Sequence, residues 1–197
     1  MCISISLSSL SSPLSSSSSD VVEIEDLGTK IKKLSFINKK QDFYNKSSIV
    51  SINTSITSGK VSVTIKIRKA KRTYEVEGIT NAIGIHTNAY DTLHITYILT
   101  EDGKVYKLED DLHNVETTEG YKGEAHDLGL VNVVKIAVSK KLKFKLNNNL
   151  EKIVPCVYII TDDDRIFTDE SFIEGKTIVE LVEKKKENTN ENASVNN

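Results

Sequence analysis

The most regular feature of the chain is an alternation of apolar and polar residues with a period of two. In residues 61–68 every odd position is apolar and every even position is polar, and residues 142–146 alternate in the same way with lysines at the polar positions. This alternation turns one face of an extended strand toward a core and the other toward water. β-Branched and aromatic residues dominate both segments, which suits a pleated surface. We therefore predict half-buried antiparallel strands in both places.

Four stretches of the chain share a longer pattern: a Val/Ile-x-Ile pair, an apolar run, a four-residue polar turn and an aromatic residue. The pairs begin at Val22, Val50, Ile83 and Val134, and the aromatic residues are Tyr44, Tyr74, Tyr106 and Phe167. Repetition with a period of tens of residues is typical of stacked or radially arranged units. The pattern therefore predicts a repeat architecture.

Each copy is predicted to contain one hairpin. The turn at 101–104 includes Asp102-Gly103, and this dipeptide favours a hairpin because glycine tolerates positive φ. Equivalent turns are predicted at 39–42, 69–72 and 162–165, where Asp or another residue has to adopt the turn conformation. The fourth copy is longer, and we place its insertion at 145–152.

The predicted fold class is all-β. A copy of roughly 30 residues holds three short strands but no helix with its connections, so helical content is expected to be low. Residues 176–186 fit a closing strand or a short terminal helix, and their leading β-branched residues favour the strand. The antiparallel hairpin repeats are expected to form a partial propeller-like array or, alternatively, a two-layer β-sandwich.

The segment 99–106, Leu-Thr-Glu-Asp-Gly-Lys-Val-Tyr, with His94 upstream, resembles the repeat of the regulator-of-chromosome-condensation β-propeller family. Residues 160–167 match the same motif more loosely, and the chain differs from that family in containing no Trp. The resemblance implies a scaffold that binds other proteins through loops at the ends of its blades. It carries over no functional residue, because no matching position has a role in the family, and a fold does not fix a function.

The ends of the chain differ from its middle in composition. Residues 1–20 form a serine-rich tail, and residues 184–197 form a charged, Asn-rich tail. Neither contains enough apolar surface to offset the entropy lost on ordering, so both are expected to be disordered. Residues 21–183 are predicted to form a single β-repeat domain.

The best candidate binding residues lie in a basic cluster. Arg68, Lys69, Lys71 and Arg72 follow one another closely, with Lys66 just before them. Such a cluster suits an anionic partner, but lysines at a hairpin tip also protect a β edge from aggregation. The net charge of −2 makes nucleic acid an unlikely partner, since nucleic-acid binders are strongly basic. We expect a protein partner.

A second candidate is the glycine-flanked loop 119–129, which contains Glu124 and His126. Loops carry binding and catalytic residues more often than cores do. The chain contains no nucleophile elbow, no His-Glu-x-x-His and no phosphate-binding glycine loop. We therefore assign no catalytic, cofactor-binding or metal-binding residue and expect no cofactor.

The resulting hypothesis is a non-enzymatic β-repeat module that binds a partner protein through its loops or a sheet edge. One alternative is an enzyme or ligand-binding domain that uses the 119–129 loop. The other is a lipid-anchored surface protein, since Cys2 followed by a serine spacer resembles the start of a mature bacterial lipoprotein. With only two cysteines and no convincing disulfide, we expect a cytoplasmic location, and a lipid-anchored or extracellular one if Cys2 is modified.

Overall fold

The computed structural model describes residues 20–24, 27–32, 40–45, 50–90, 93–145, 151–169 and 178–185. Strands account for most of these residues, and the two helices are short. In chain order the elements are β1 (Asp20–Ile24), α1 (Leu27–Lys32), β2 (Gln41–Asn45), β3 (Val50–Thr57), β4 (Lys60–Ile67), β5 (Ala70–Glu75), β6 (Ala82–Tyr90), β7 (Leu93–Thr100), β8 (Val105–Asp111), α2 (Leu112–Thr117), β9 (Ala125–Asp127), β10 (Val133–Lys145), β11 (Glu151–Thr161), β12 (Ile166–Asp169) and β13 (Ile178–Glu183).

The strands form three sheets, which we call the first, middle and third sheets. The first is a meander of β2, β3, β4 and β5, and the middle is a meander of β6, β7, β8 and β9. The third is a meander of β10 to β13, to which β1 adds as a parallel strand beside β13. All other pairings are antiparallel. The all-β, antiparallel prediction is therefore confirmed.

The middle sheet packs between the other two. Ile52 and Ile65 of the first sheet share an apolar cluster with Ile98 on one face of β7. On the opposite face, Ile95 shares a second cluster with Ile159 of the third sheet. Every residue of β7 after Leu93 is buried, because both of its faces are covered. The described sheets thus form a row of three layers.

The two outer faces of this row differ. On the far side of the third sheet, Leu27 and Ile31 of α1 pack against Tyr158 and Leu181. On the far side of the first sheet, β3 and β4 present polar side chains such as Thr64 that are only partly covered. Terminal layers with a covered or polar outer face are what a stacked array needs for solubility.

Equivalent backbone hydrogen bonds join one hairpin turn of the first sheet to the middle sheet and one hairpin turn of the middle sheet to the third sheet. Ala82 N–H donates to the Gly59 carbonyl at 2.8 Å, and Val133 N–H donates to the Gly103 carbonyl at 2.9 Å. Both glycines have positive φ, and a Cβ on either would lie within 3.2 Å of the backbone that follows. The corresponding turn of the third sheet has Asp164 instead, with φ of 63°. Glycine is therefore found in the two turns where the backbone of the following sheet lies too close to leave room for a Cβ.

The turns predicted at 101–104 and 162–165 are confirmed. In the first, Gly103 N–H donates to the Thr100 carbonyl at 3.0 Å, and in the second, Asp164 N–H donates to the Thr161 carbonyl at 3.1 Å. Asp164 takes the left-handed conformation that Gly103 takes in the other turn. The strand predicted within 176–186 is confirmed as β13.

The turn predicted at 69–72 is placed wrongly. Arg68 and Lys69 form it, and residues 70–72 already belong to β5. A further turn at Ser58 and Gly59, between β3 and β4, was not predicted. Its Ser-Gly dipeptide lies between two alternating segments and is a recognised turn signal.

The first copy of the pattern also differs from the prediction. Val22 lies in β1 of the third sheet, whereas Tyr44 lies in β2 of the first sheet. Gln41 and Asp42, predicted to form a turn, begin β2 instead. The tails at 1–19 and 186–197 and most of the predicted insertion, 146–150, lie outside the described residues.

Candidate functional site

The basic residues of the sequence converge on the hairpin between β4 and β5. Lys66 and Lys71 pair across the two strands, and Arg68 and Lys69 form the turn beyond them. All four side chains are exposed, and we call them the basic tip. Like charges directly opposite each other in a sheet are destabilising, so the fold gains nothing from this pair.

The charges of the basic tip are not neutralised within the described part of the chain. No described carboxylate lies within ion-pair distance of any of its four cations. At the opposite end of the same hairpin, in contrast, Lys60 Nζ lies 3.3 Å from Glu75 Oε2. One end of the hairpin is thus electrostatically balanced and the other is strongly positive.

The turn of the basic tip also has an unfavourable backbone conformation. Arg68 has a φ of 53°, in the left-handed region. This conformation costs a residue other than glycine about 1 kcal/mol, and Asn and Asp tolerate it better than Arg. The position therefore has an arginine where the backbone favours a smaller residue.

Arg72 differs from the other basic candidates because it stabilises the fold. Its Nη2 donates to the Val115 carbonyl at 2.6 Å, and its Nη1 donates to the Thr118 carbonyl at 3.1 Å. The guanidinium also lies 5.9 Å from the centre of the Tyr121 ring. Arg72 thus satisfies carbonyls at the C-terminal end of α2 that have no partner within the helix.

In the second candidate region, Glu124 and His126 are both exposed. His126 lies in β9, where it pairs in register with Lys107 of β8. Among the described residues, neither Glu124 nor His126 forms an ion pair. The structure places His126 in the outer strand of the middle sheet and Glu124 just before that strand.

Below this loop lies a buried polar cluster that the sequence analysis missed. The Tyr74 hydroxyl donates to Asp110 Oδ1 at 2.9 Å, and Asp110 Oδ2 lies 3.6 Å from His94 Nδ1. The side chains of His94 and Asp110 are fully buried. A Cβ at Gly123 would lie 2.8 Å from both Asp110 Oδ1 and the Tyr74 hydroxyl, so glycine is required where the loop crosses the cluster.

The phenols of Tyr74 and Tyr121 both have a raised pKa. Burial, and then the negative charge of Asp110, raise the pKa of Tyr74 above its usual range. The same two causes, in the same order, raise the pKa of Tyr121 to about 12. Tyr74 belongs to the first sheet and Asp110 to the middle sheet, so their hydrogen bond ties β5 to its neighbour. The cluster therefore has a structural role.

A second buried cluster joins the middle and third sheets. Lys107 Nζ lies 2.9 Å from Asp169 Oδ2, which also accepts a hydrogen bond from the Tyr97 hydroxyl at 2.8 Å. Glu109 Oε1 lies 2.5 Å from the same ammonium group. The only sequence signal for this cluster was a lysine at a strand position whose neighbours are apolar. Within the described ranges, no set of three or more His, Cys, Asp or Glu side chains is arranged to hold a metal ion.

No family model, curated protein or solved structure matches the chain. None of the described helices is long and apolar enough to cross a membrane. Cys2, on which the lipid-anchor alternative depends, lies outside the described residues.

Proposed function

We propose that the protein is a non-enzymatic β-repeat module that binds a partner protein at the basic tip and the adjoining edge strand β5. The observation that carries the proposal is the uncompensated charge of the basic tip. Three exposed lysines and an arginine lie together without a described carboxylate partner, and two of the lysines face each other. Locally unfavourable features of this kind are concentrated at functional sites.

The position of β5 supports the same proposal. β5 is the last strand of the first sheet, and among the described strands it bonds to β4 alone. Its outward residues Lys71, Thr73 and Glu75 are exposed. A sheet edge offers a row of backbone donors and acceptors to a partner, and an adjacent charged patch provides orientation and a faster encounter.

The repeat character of the scaffold is part of the proposal. It is supported by the equivalent joints, in which the Gly59 and Gly103 carbonyls accept bonds from the first strand of the following sheet. A row of similar sheets joined at one end leaves the opposite end, with the basic tip, available to a partner. The resemblance to chromosome-condensation-regulator propellers points to binding at loops in the same way.

Affinity capture from the native source tests the proposal with matched charge variants. The full chain serves as bait beside the double variant Lys66→Gln/Lys71→Gln and the control Lys122→Gln/Lys135→Gln. Each variant removes two exposed positive charges, but the control residues lie outside the first sheet. We expect one protein to be enriched by the wild-type chain and the control and lost with the tip variant, and the purified protein to bind with the same preference.

Two results would overturn the proposal. Capture of the same proteins by wild-type chain and tip variant would show that the basic tip is not the binding surface. A tip variant that aggregates while the wild-type chain enriches nothing would show that the lysines only protect the edge of the sheet.

A further inference from the structure

Six strands lie at the edges of the described sheets: β1, β2, β5, β6, β9 and β10. β2 and β10 pack against β6 where neighbouring sheets meet, so these three edges face other elements. β5 is the longest of the other three edges, since β9 has three residues and β1 has five. β5 has six residues, which is the usual length of a paired strand.

The side chains along β5 divide into a positive end and a neutral end. Lys71 continues a cross-strand row that contains Ser51 and Lys66. In the next row, the hydroxyl of Thr73 is hydrogen-bonded to that of Thr64 at 3.0 Å. Glu75, in the row after that, forms an ion pair with Lys60 of β4. The basic residues of the first row and of the turn therefore lack a counter-charge within the described ranges.

We infer that the partner segment is an extended acidic peptide that adds to β5 as a further strand, with its carboxylates gathered beside the basic tip. The inference rests on the proposed function. The residue opposite Lys71 becomes the next member of a row that already contains two lysines. A carboxylate at that position lies directly beside Lys71 and offsets its repulsion from Lys66, and further carboxylates reach Arg68 and Lys69 beyond the strand.

The observations favour a peptide over other anions for two reasons. The edge of β5 provides backbone groups that match a peptide strand, whereas a nucleic acid or a lipid headgroup leaves them unpaired. Single-stranded nucleic acids also need aromatic side chains for stacking, and Tyr74, the one aromatic residue in β3–β5, is buried. The net charge of −2 further disfavours a polyanion that contacts a large area of the protein.

The test uses synthetic peptides of about eight residues that alternate Thr and Glu over the half beside the basic tip and Thr and Ser over the half beside Glu75, a spacing that places every Glu on one face of a strand. Three fluorescent probes are titrated with the full chain: the acidic peptide, the same peptide with Lys in place of Glu, and the acidic peptide N-methylated at alternate residues. The N-methylated probe keeps the charge but cannot complete the backbone ladder. Oligo-dT and phosphatidylserine vesicles test the other anion classes.

We expect saturable binding of the acidic peptide alone, with protection of the β5 amides from hydrogen exchange. Affinity should fall about tenfold in Lys66→Gln/Lys71→Gln and less than about twofold in the Lys122→Gln/Lys135→Gln control, since only the first pair faces the ligand. Thermal unfolding of both variants confirms that each is folded.

Several outcomes would overturn the inference. Equal binding of the N-methylated probe would exclude strand addition, and tighter binding of oligo-dT or vesicles would identify a nucleic acid or a membrane as the ligand. If no acidic peptide binds while capture of a partner still depends on the basic tip, the inference fails and the proposed function stands. If capture does not depend on the basic tip, the proposed function fails as well.

Discussion

The middle and first sheets use their lysines in opposite ways. Lys107 of β8 is 5% exposed and lies against Asp169, whereas Lys71 of β5 is exposed and faces Lys66. The middle sheet is covered on both faces, so a charge there has to be paired to offset its loss of water. Among the described residues, the outer face of the first sheet is only partly covered, so an exposed charge there remains hydrated and needs no partner. A charge that the fold does not need is therefore available for binding.

The hairpin turns show the same contrast. Asp102 accepts a hydrogen bond from Asn81 Nδ2 at 3.0 Å, and Asp163 accepts one from the Thr161 hydroxyl at 2.5 Å. Hydrogen bonds from neighbouring threonine hydroxyls are the main cause that lowers the pKa of both carboxyls. The acidic turns thus use their polar side chains locally, whereas Arg68 and Lys69 have no such partner among the described residues.

The largest effect is expected for Lys107→Met. This substitution leaves the Asp169 carboxylate buried without its ammonium partner, which should cost about 3–5 kcal/mol in the free energy of unfolding. Urea unfolding measures the loss, with Lys71→Met as control, for which we expect a change within about 0.5 kcal/mol. Equal losses for the two variants would contradict the contrast between the sheets.

A glycine pair tests the joint between the first and middle sheets. Gly59 and Gly78 both have a φ of +78°, but a Cβ at Gly59 would lie 2.1 Å from the Thr80 carbonyl oxygen, while a Cβ at Gly78 meets nothing within 4 Å. We expect Gly78→Ala to cost about 1 kcal/mol from backbone strain alone and Gly59→Ala about 3 kcal/mol. Similar thermal unfolding of the two variants would show that the joint tolerates displacement.

Tyr74→Phe tests the hydrogen bond between β5 and the middle sheet. Removing the hydroxyl leaves Asp110 Oδ1 without its donor and should cost about 2 kcal/mol near neutral pH. Tyr121→Phe is the control and should cost less, because its hydroxyl donates to the Glu109 carbonyl at 3.3 Å and is not deeply buried.

The same variant has a predicted pH dependence. Because the pKa of Tyr74 is raised in the folded protein, the unfolded chain releases the phenol proton first as pH rises above about 10. Stability is therefore fully present below that pH and falls above it. In Tyr74→Phe this part of the alkaline loss should disappear, and unfolding measured from about pH 8 to pH 11 checks it. An unchanged alkaline slope would contradict the assignment.

The smallest effect has the opposite sign. Lys71→Glu places a carboxylate opposite Lys66 and should stabilise the chain by about 0.5 kcal/mol, while abolishing binding at the basic tip. Lys60→Glu, the control, breaks the ion pair with Glu75 and should destabilise by a similar amount. A Lys71→Glu chain that is less stable, or that still binds its partner, would show that the lysine pair serves the fold.

Local features of the chain were predictable because they depend on neighbouring residues. The alternation around Val63 specified β4 and its buried face, and the turns near Gly103 and Asp164 were located correctly. The β4–β5 turn was placed too late because no residue near Arg68 is a turn former. The turn after Thr57 was missed although Ser58-Gly59 signalled it.

The candidate site was only partly predictable for a different reason. Arg68, Lys69, Lys71 and Arg72 are equally basic in sequence. The separation of Arg72 from the others depends on the position of α2, which lies between β8 and β9 of the middle sheet. The buried pair of His94 and Asp110 was not predictable either, because its burial depends on a strand from another part of the chain that covers it.

Side-chain period and turn chemistry act within a few residues, so the primary structure alone establishes the strands, most of the hairpins and the scarcity of helix. Burial depends on which sheets come to face each other. The packing of three layers therefore decided that Lys107 is an internal ion-pair partner, that Gly59 cannot carry a side chain and that the charges of the basic tip remain in water.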